Sequence, residues 1–248
     1  MGKGGAGKSA IAGTFARALA RSGRPVLALD SDPMPGLAFS LGLRTSDAAI
    51  PDEAVEERPE GEEGPRYRLR AGMSAAEAVE LYSQEAPDGV RFLQFGKLRG
   101  HQGALARAQF AFRQIVRDLP EDRWDVVGDL PGGPRQAAFG WAPYARTFLL
   151  VVEPMTKSLL TGRRIARVAA RMDPAPTVVA VANRVREPGD AERVAKATGL
   201  EVVAAVPWDE ELAEAERRTL APIDHAPDSP AVRAIDSLVH ELAGERSR

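Results

Sequence analysis

Apolar residues recur along the chain in two periods, and the exchange between them sets out the elements. Ile11, Phe15 and Leu19 fall every four positions, the spacing of one helical face, and Gly23 stands where a helix end calls for a left-handed residue. Short apolar runs follow at Pro25–Asp30, Val90–Phe95, Trp124–Asp129, Thr147–Val152, Thr177–Asn183 and Glu201–Val206, each the length of a buried strand. Helical spacing returns between them, within Ser74–Glu85, from about Gly103 to Leu119, and over Ser158–Arg171, where Leu159, Ile165, Val168 and Ala169 face inward. A last helix begins at Asp228-Ser229-Pro230 and lines up Val232, Ile235, Leu238, Val239 and Leu242. Strands alternating with helices predict an α/β fold, a mostly parallel sheet with helices on both faces. Residues 1–248 read as a single domain without internal repeats. One stretch breaks the pattern. Residues 44–66 are acidic, proline-bearing and poorly hydrophobic, which predicts a mobile surface loop.

Gly2-Lys3-Gly4-Gly5-Ala6-Gly7-Lys8-Ser9 satisfies G-x-x-x-x-G-K-[ST] and stands directly before the first helical pattern. Glycines let successive backbone N–H groups turn inward as an anion nest, with no Cβ in the way of a polyphosphate. Gly4, Gly5, Ala6, Gly7, Lys8 and Ser9 are therefore the candidate phosphate cradle, Lys8 adding a point charge and the Ser9 hydroxyl a ligand for Mg²⁺. Acidic residues at the ends of two strands extend the site. Asp30 and Asp32 follow the first, and Asp129 ends Trp124–Asp129 just before Leu130-Pro131-Gly132-Gly133. Asp129 is expected to hold Mg²⁺ through water, and the Gly132 N–H to sense the terminal phosphate.

The loop carries a second lysine, Lys3, and K-G-G-x-G-K-[ST] resembles the deviant P-loop of the ATPase superfamily of nitrogenase iron protein and the ParA and MinD types. D-S-D-P from Asp30 and D-L-P-G-G from Asp129 are similar to its two switch segments. The resemblance implies an ATP- and Mg²⁺-dependent ATPase of the P-loop NTPase fold, closing as a homodimer in which Lys3 reaches the partner's nucleotide. It also implies that Asp32 positions the attacking water, with Asp30 as the fallback, making Lys3, Lys8 and Asp32 the catalytic set. Asn183 is expected at the adenine edge, with Pro207 and Asp209 bordering the base on its other side.

F-G-K near Phe95, E-P-M-T-K-S-L-L-T-G-R-R-I-A-R from Glu153 and V-P-W-D-E-E are most similar to the nickel-insertion ATPases for carbon monoxide dehydrogenase. One departure removes the metal cargo. Where that family has a C-x-C pair, this chain has Gly100-His101-Gln102-Gly103-Ala104-Leu105-Ala106, and it contains no cysteine at all. A methyl group donates no lone pair, so thiolate metal binding, disulfides and iron–sulfur chemistry are excluded. His101 stands without a carboxylate neighbour and reads as a surface residue.

A net charge of −2 gives no global reason to expect nucleic acid as the main partner. Arg163, Arg167 and Arg171 repeat at intervals of four, the pattern of a solvated helix face. The nearly neutral polar side of the last helix, Arg233, Asp236, His240 and Glu241, suits a helix packed on a core rather than on lipid. With no signal peptide or apolar run of roughly 18 residues, the chain reads as cytoplasmic. The combined expectation is a homodimerising ATPase switch acting on an unidentified protein client. The alternatives are a DNA- or membrane-associated partitioning ATPase, and a nucleotide-sensing protein with negligible turnover.

A P-loop ordinarily follows a buried strand of about five or six residues, yet only Met1 precedes Gly2. In this superfamily that strand lies between those at Trp124–Asp129 and Thr147–Val152, so an apolar segment is expected upstream. Replacing Lys8 by alanine should abolish nucleotide binding, because it removes the one charge from a cradle of backbone dipoles. Titration with a fluorescent ATP analogue checks this, and wild-type affinity in the variant would refute the phosphate-loop reading.

Overall fold

The computed structural model describes residues 1–32, 36–44, 50–95, 102–133 and 141–244. Pro33 of the first switch, Gly96-Lys97, His101 and residues 45–49 of the acidic stretch lie outside them. The chain runs α1 (Lys8–Arg21), β1 (Val26–Asp30), α2 (Leu37–Ser40), β2 (Val55–Glu57), β3 (Tyr67–Leu69), α3 (Ala75–Tyr82), β4 (Gln84–Glu85), β5 (Arg91–Gln94) and α4 (Gln102–Arg117). It continues through β6 (Asp125–Asp129), β7 (Thr147–Val152), α5 (Thr156–Ala169), β8 (Thr177–Val185), α6 (Asp190–Thr198), β9 (Val202–Pro207), α7 (Glu210–Arg217), α8 (Pro222–His225) and α9 (Pro230–Gly244).

β5, β1 and β6 pair in parallel, with the short β4 antiparallel on the outer edge of β5, and β7, β8 and β9 form a second parallel set. Alternation along each strand sends side chains to two helical layers. Val26, Ala28 and Phe92 pack with Leu19, Val232 and Val239 of α1 and α9, whereas Leu27, Leu29 and Leu93 pack with Val79, Phe112 and Ile115 of α3 and α4. In the second set Val151, Val181 and Val206 meet Ile11, Ile235 and Leu238, while Phe148, Leu150 and Val152 meet Ile165, Ala169 and Val194 of α5 and α6. Helices α1 and α9 thus lie across both sets on one face. Being parallel, the strands bring Asp30, Asp129, Glu153, Asn183 and Pro207 to the same edge.

Between β6 and β7, among the described residues, the backbone ladder is carried by Met1 and Gly2. The Met1 ammonium donates to Leu149 O at 2.9 Å, Met1 O accepts from Val151 N at 2.8 Å, and Gly2 O accepts from Gly133 N at 3.0 Å. Gly2 makes one parallel bridge to Val151. Trp141 and Tyr144 pack against the cores on both sides of this seam. A Cβ at Gly128 would collide with the Tyr144 hydroxyl, so that glycine is what lets the ring lie against β6.

The acidic stretch is not simply a loop. It contains a 3-10 turn at Asp52–Ala54 and then β2, which pairs antiparallel with β3. Three of its carboxylates are matched: Glu56 with Arg68 at 2.7 Å, Glu57 with Arg66 at 2.7 Å, and Glu62 with Arg68 at 2.9 Å. Cross-strand ion pairing let a hydrophilic segment order where composition alone pointed to a loop. Helices α6, α7 and α8 were not anticipated: α6 and α7 are rich in charge, and α8 is a single turn of four residues. Val168, expected inward, is 38% exposed.

One polar contact is buried in the helical layer. Arg17 of α1, 2% exposed, donates from Nε to Asp88 at 2.6 Å and from Nη1 to Asp224 of α8. Burial by itself pushes the Asp88 carboxyl up, but Arg17 and Arg21 outweigh it and hold the group below the usual carboxylate range. A depressed folded pKa means that this contribution is complete above about pH 4 and is lost as the pH falls further. Replacing Arg17 by alanine should destabilise the fold by about 2–4 kcal/mol. Asp224→Asn, whose carboxylate is half exposed, should cost under about 1 kcal/mol. Urea midpoints of the two variants test the difference.

Candidate functional site

The phosphate loop turns into α1 at Gly7, whose φ of +84° is left-handed and whose missing Cβ leaves room for the Asn183 amide. Ala6 is fully buried while Gly4 and Gly5 are exposed, so the loop is anchored by its middle and presents its crown. A cleft of ≈ 370 Å³ opens over Gly5, Gly7, Lys8 and Ser9 and extends to Phe39, Arg184, Glu216 and Leu220. That size is ordinary for a small-molecule site. Gly132 lies against the loop, and a Cβ there would come 2.9 Å from Gly4 N and 3.5 Å from Lys8 Nζ. The expected phosphate-sensing glycine is therefore adjacent to the expected phosphate-binding lysine. Lys3 Nζ donates to Gly4 O at 3.3 Å within its own chain.

Three carboxylates gather beside Ser9. The Ser9 hydroxyl donates to Asp129 Oδ2 at 2.5 Å, joining the two residues expected to serve Mg²⁺. Asp30 accepts from Asp32 N at 3.0 Å and from Leu37 N at 3.2 Å, which fixes the start of the first switch and of α2. Burial, then the charge of Asp129, pushes the Asp30 carboxyl up to about 7. Asp129 is also raised, since burial outweighs the Ser9 hydrogen bond and the attraction of Lys8. The Asp32 charge acts on both. A hydroxyl and carboxylates are hard oxygen donors, as Mg²⁺ requires. Among the described residues no group of three or more His, Cys, Asp or Glu could hold a metal ion alone.

The base side differs from expectation in its details. Asn183 and Pro207 line a smaller cavity with Gly7, Trp208 and Leu212. The Asn183 amide, however, donates to Ala6 O at 2.8 Å and props the phosphate loop from below. Asp209 borders the same cavity, but its carboxylate caps helices. Oδ1 accepts from Glu211 N at 3.0 Å and Leu212 N at 3.4 Å, and Oδ2 accepts from Ala231 N at 3.0 Å. Asp209 thus borders the cavity as expected, with its carboxylate oxygens engaged by three backbone donors.

Arg184 was missed by sequence reasoning. Its backbone has φ +58°, uncommon for a non-glycine residue and frequent at ligand sites. Its guanidinium reaches Gly5 O at 3.2 Å, Glu153 at 2.7 Å and Glu216 at 3.4 Å. Arg186 stacks over Trp208, 4.1 Å from the ring centroid. An arginine after a strand-ending asparagine carries no spacing signal; only the fold shows that it touches both cavities.

Residues 1–223 match the CobQ/CobB/MinD/ParA nucleotide-binding domain family. The chain is 26% identical, over 87% of its length and 86% of the relative's, to an uncharacterized ATP-binding protein of Methanocaldococcus jannaschii. It is 25% identical to the carbon monoxide dehydrogenase accessory protein CooC of Rhodospirillum rubrum, over 91% of this chain and 89% of that one. The fold matches the septum site-determining protein MinD of Pyrococcus horikoshii, solved with Mg-ADP, at a TM-score of 0.73 and 19% identity, covering 97% of this chain and 92% of the other. No described helix is long and apolar enough to cross a membrane. The family model spans most of the chain, and the chain belongs to the CobQ/CobB/MinD/ParA family of P-loop nucleotide-binding domains.

Proposed function

We propose that this protein hydrolyses ATP as a Mg²⁺-dependent switch, closing as a homodimer and passing the change to a protein client. The observation that carries the reading is the Ser9–Asp129 hydrogen bond directly behind Lys8, with Asp30 and Asp32 beside it. That grouping supports a cation-binding pair next to an anion cradle. Mg²⁺, held by Ser9 and Asp129, would supply positive charge for the β- and γ-phosphates. The remaining work falls to the chain. Loop N–H groups and Lys8 hold the phosphates, and the Gly132 N–H donates to the terminal one. Asp32 orients a water for attack on the γ-phosphorus, the bond to the bridging oxygen breaks, and ADP and inorganic phosphate leave. Lys3 of a second copy adds charge when two chains close. The relative from Rhodospirillum is named as an accessory protein of carbon monoxide dehydrogenase, which supports a client of some kind here. Without cysteine, the cargo chemistry is not thiolate metal delivery.

Lys3→Ala should spare ATP binding but suppress hydrolysis, since its charge serves only the closed pair. A turnover rate that is independent of protein concentration and untouched by the substitution would reject the dimer. Asp32→Ala should retain ATP, accumulate as a dimer on size-exclusion chromatography, and lose on the order of a hundredfold in turnover. A monomeric variant that no longer binds ATP would contradict the role given to Asp32.

A further inference from the structure

Helix α5 buries one face completely. Ser158, Gly162, Ile165, Ala166 and Ala169 pack beneath it toward β7 and α6. The opposite face runs in steps of three and four through Lys157, Leu160, Arg164 and Arg167 to Arg171 just past the helix end, flanked by Arg163. All five basic residues are exposed, and none of them is in an ion pair among the described residues. This is unlike Arg17, Arg24, Arg58, Arg68 and Arg184, each of which holds a carboxylate. The helix contains no Asp or Glu. Among these cations sit apolar side chains that solvent does not favour: Leu160 is 51% exposed, Val168 38% and Met172 36%. Like charges three and four apart on a helix repel one another, so the arrangement works against the isolated protein.

We propose that the outer face of α5 is the docking surface for an acidic protein segment with apolar residues between its carboxylates. This names the client surface of the function proposed above and rests on that reading only for its biological use. Charge complementarity selects an anionic partner. Arginine forks pair well with carboxylates, and the interleaved Leu160 and Val168 need apolar contacts that a phosphate backbone does not offer. The patch is also confined. A helix of this length spans about 20 Å, and the chain as a whole carries a net charge of −2, so a long polyanion would leave the favourable field beyond it. Helix α5 is moreover joined to the nucleotide site: Ser158 Oγ accepts from Glu153 N, and Glu153 holds Arg184, which donates to Gly5 O.

The test measures binding of a fluorescent helical peptide of glutamates with leucines at alternating third and fourth positions. An all-glutamate peptide, a short DNA duplex and phosphatidylglycerol vesicles are compared with it. The glutamate–leucine peptide should bind best. Joint replacement Arg163→Glu, Arg167→Glu, Arg171→Glu should weaken it by about tenfold or more, and Leu160→Ser should remove its advantage over the all-glutamate peptide. Cooperative melting and unchanged binding of a fluorescent ATP analogue certify the variants, and the three glutamine substitutions serve if charge reversal unfolds the helix. Stronger binding to DNA or vesicles through the same arginines would overturn the proposal. So would self-association abolished by the same substitutions, or peptide binding indifferent to them. None of these readouts requires hydrolysis, so they fail or hold separately from the ATPase reading.

Discussion

A loop that must point its N–H groups at a polyanion cannot use those groups to hold itself in place. Support has to come from outside, and each strand end around it supplies some. Asn183 near the end of β8 holds Ala6 O, Gly133 after β6 holds Gly2 O, and Val151 of β7 holds Met1 O. Arg184 takes Gly5 O from the exposed side. The parallel topology makes this convergence available, because all of these strand ends meet at one edge. The loop's shape thus rests on the surrounding strands as well as on its own left-handed glycines.

Electrostatics at the same edge are unbalanced in the protein alone. Asp30 and Asp129 are buried together, and burial raises both above the ordinary carboxylate range. A folded pKa near 7 for Asp30 means that its ionisation weakens the fold as the pH rises from about 4 through 7. Lys8 and the Ser9 hydroxyl offset part of this for Asp129. Such perturbed charges in a cleft are a common mark of a functional site, and here they adjoin the phosphate loop.

Helix α5 shows how the rest of the molecule connects to that site. Its first turn is pinned by Ser158 to Glu153, and Glu153 is half of the ion pair that reaches the phosphate loop. The inner face is spent on the core between β7 and α6. Its outer face, arginine-rich and partly apolar, has no counterpart within the described chain. A partner seated there would sit one helix away from the nucleotide.

The sequence by itself determined the alternating elements, the phosphate loop with Lys8 and Ser9, the acidic strand ends at Asp30 and Asp129, and the absence of thiolate chemistry. Those features are local: a period, a spacing or a missing residue type can be read within a few neighbouring positions. Only the tertiary structure decided what the side chains touch. Ser9 and Asp129 are 120 positions apart, and Asn183 and Ala6 are 177 apart. Asp209 caps its own helix α7 locally but also reaches Ala231 at the start of α9, and the acidic stretch became a hairpin because Arg66 and Arg68 stand across from its glutamates. Arg184 acquired its place from a left-handed residue within β8, at the irregularity between Asn183 and Val185, that no local pattern announces. Contacts of this kind depend on how layers pack, and packing is fixed by the whole chain at once.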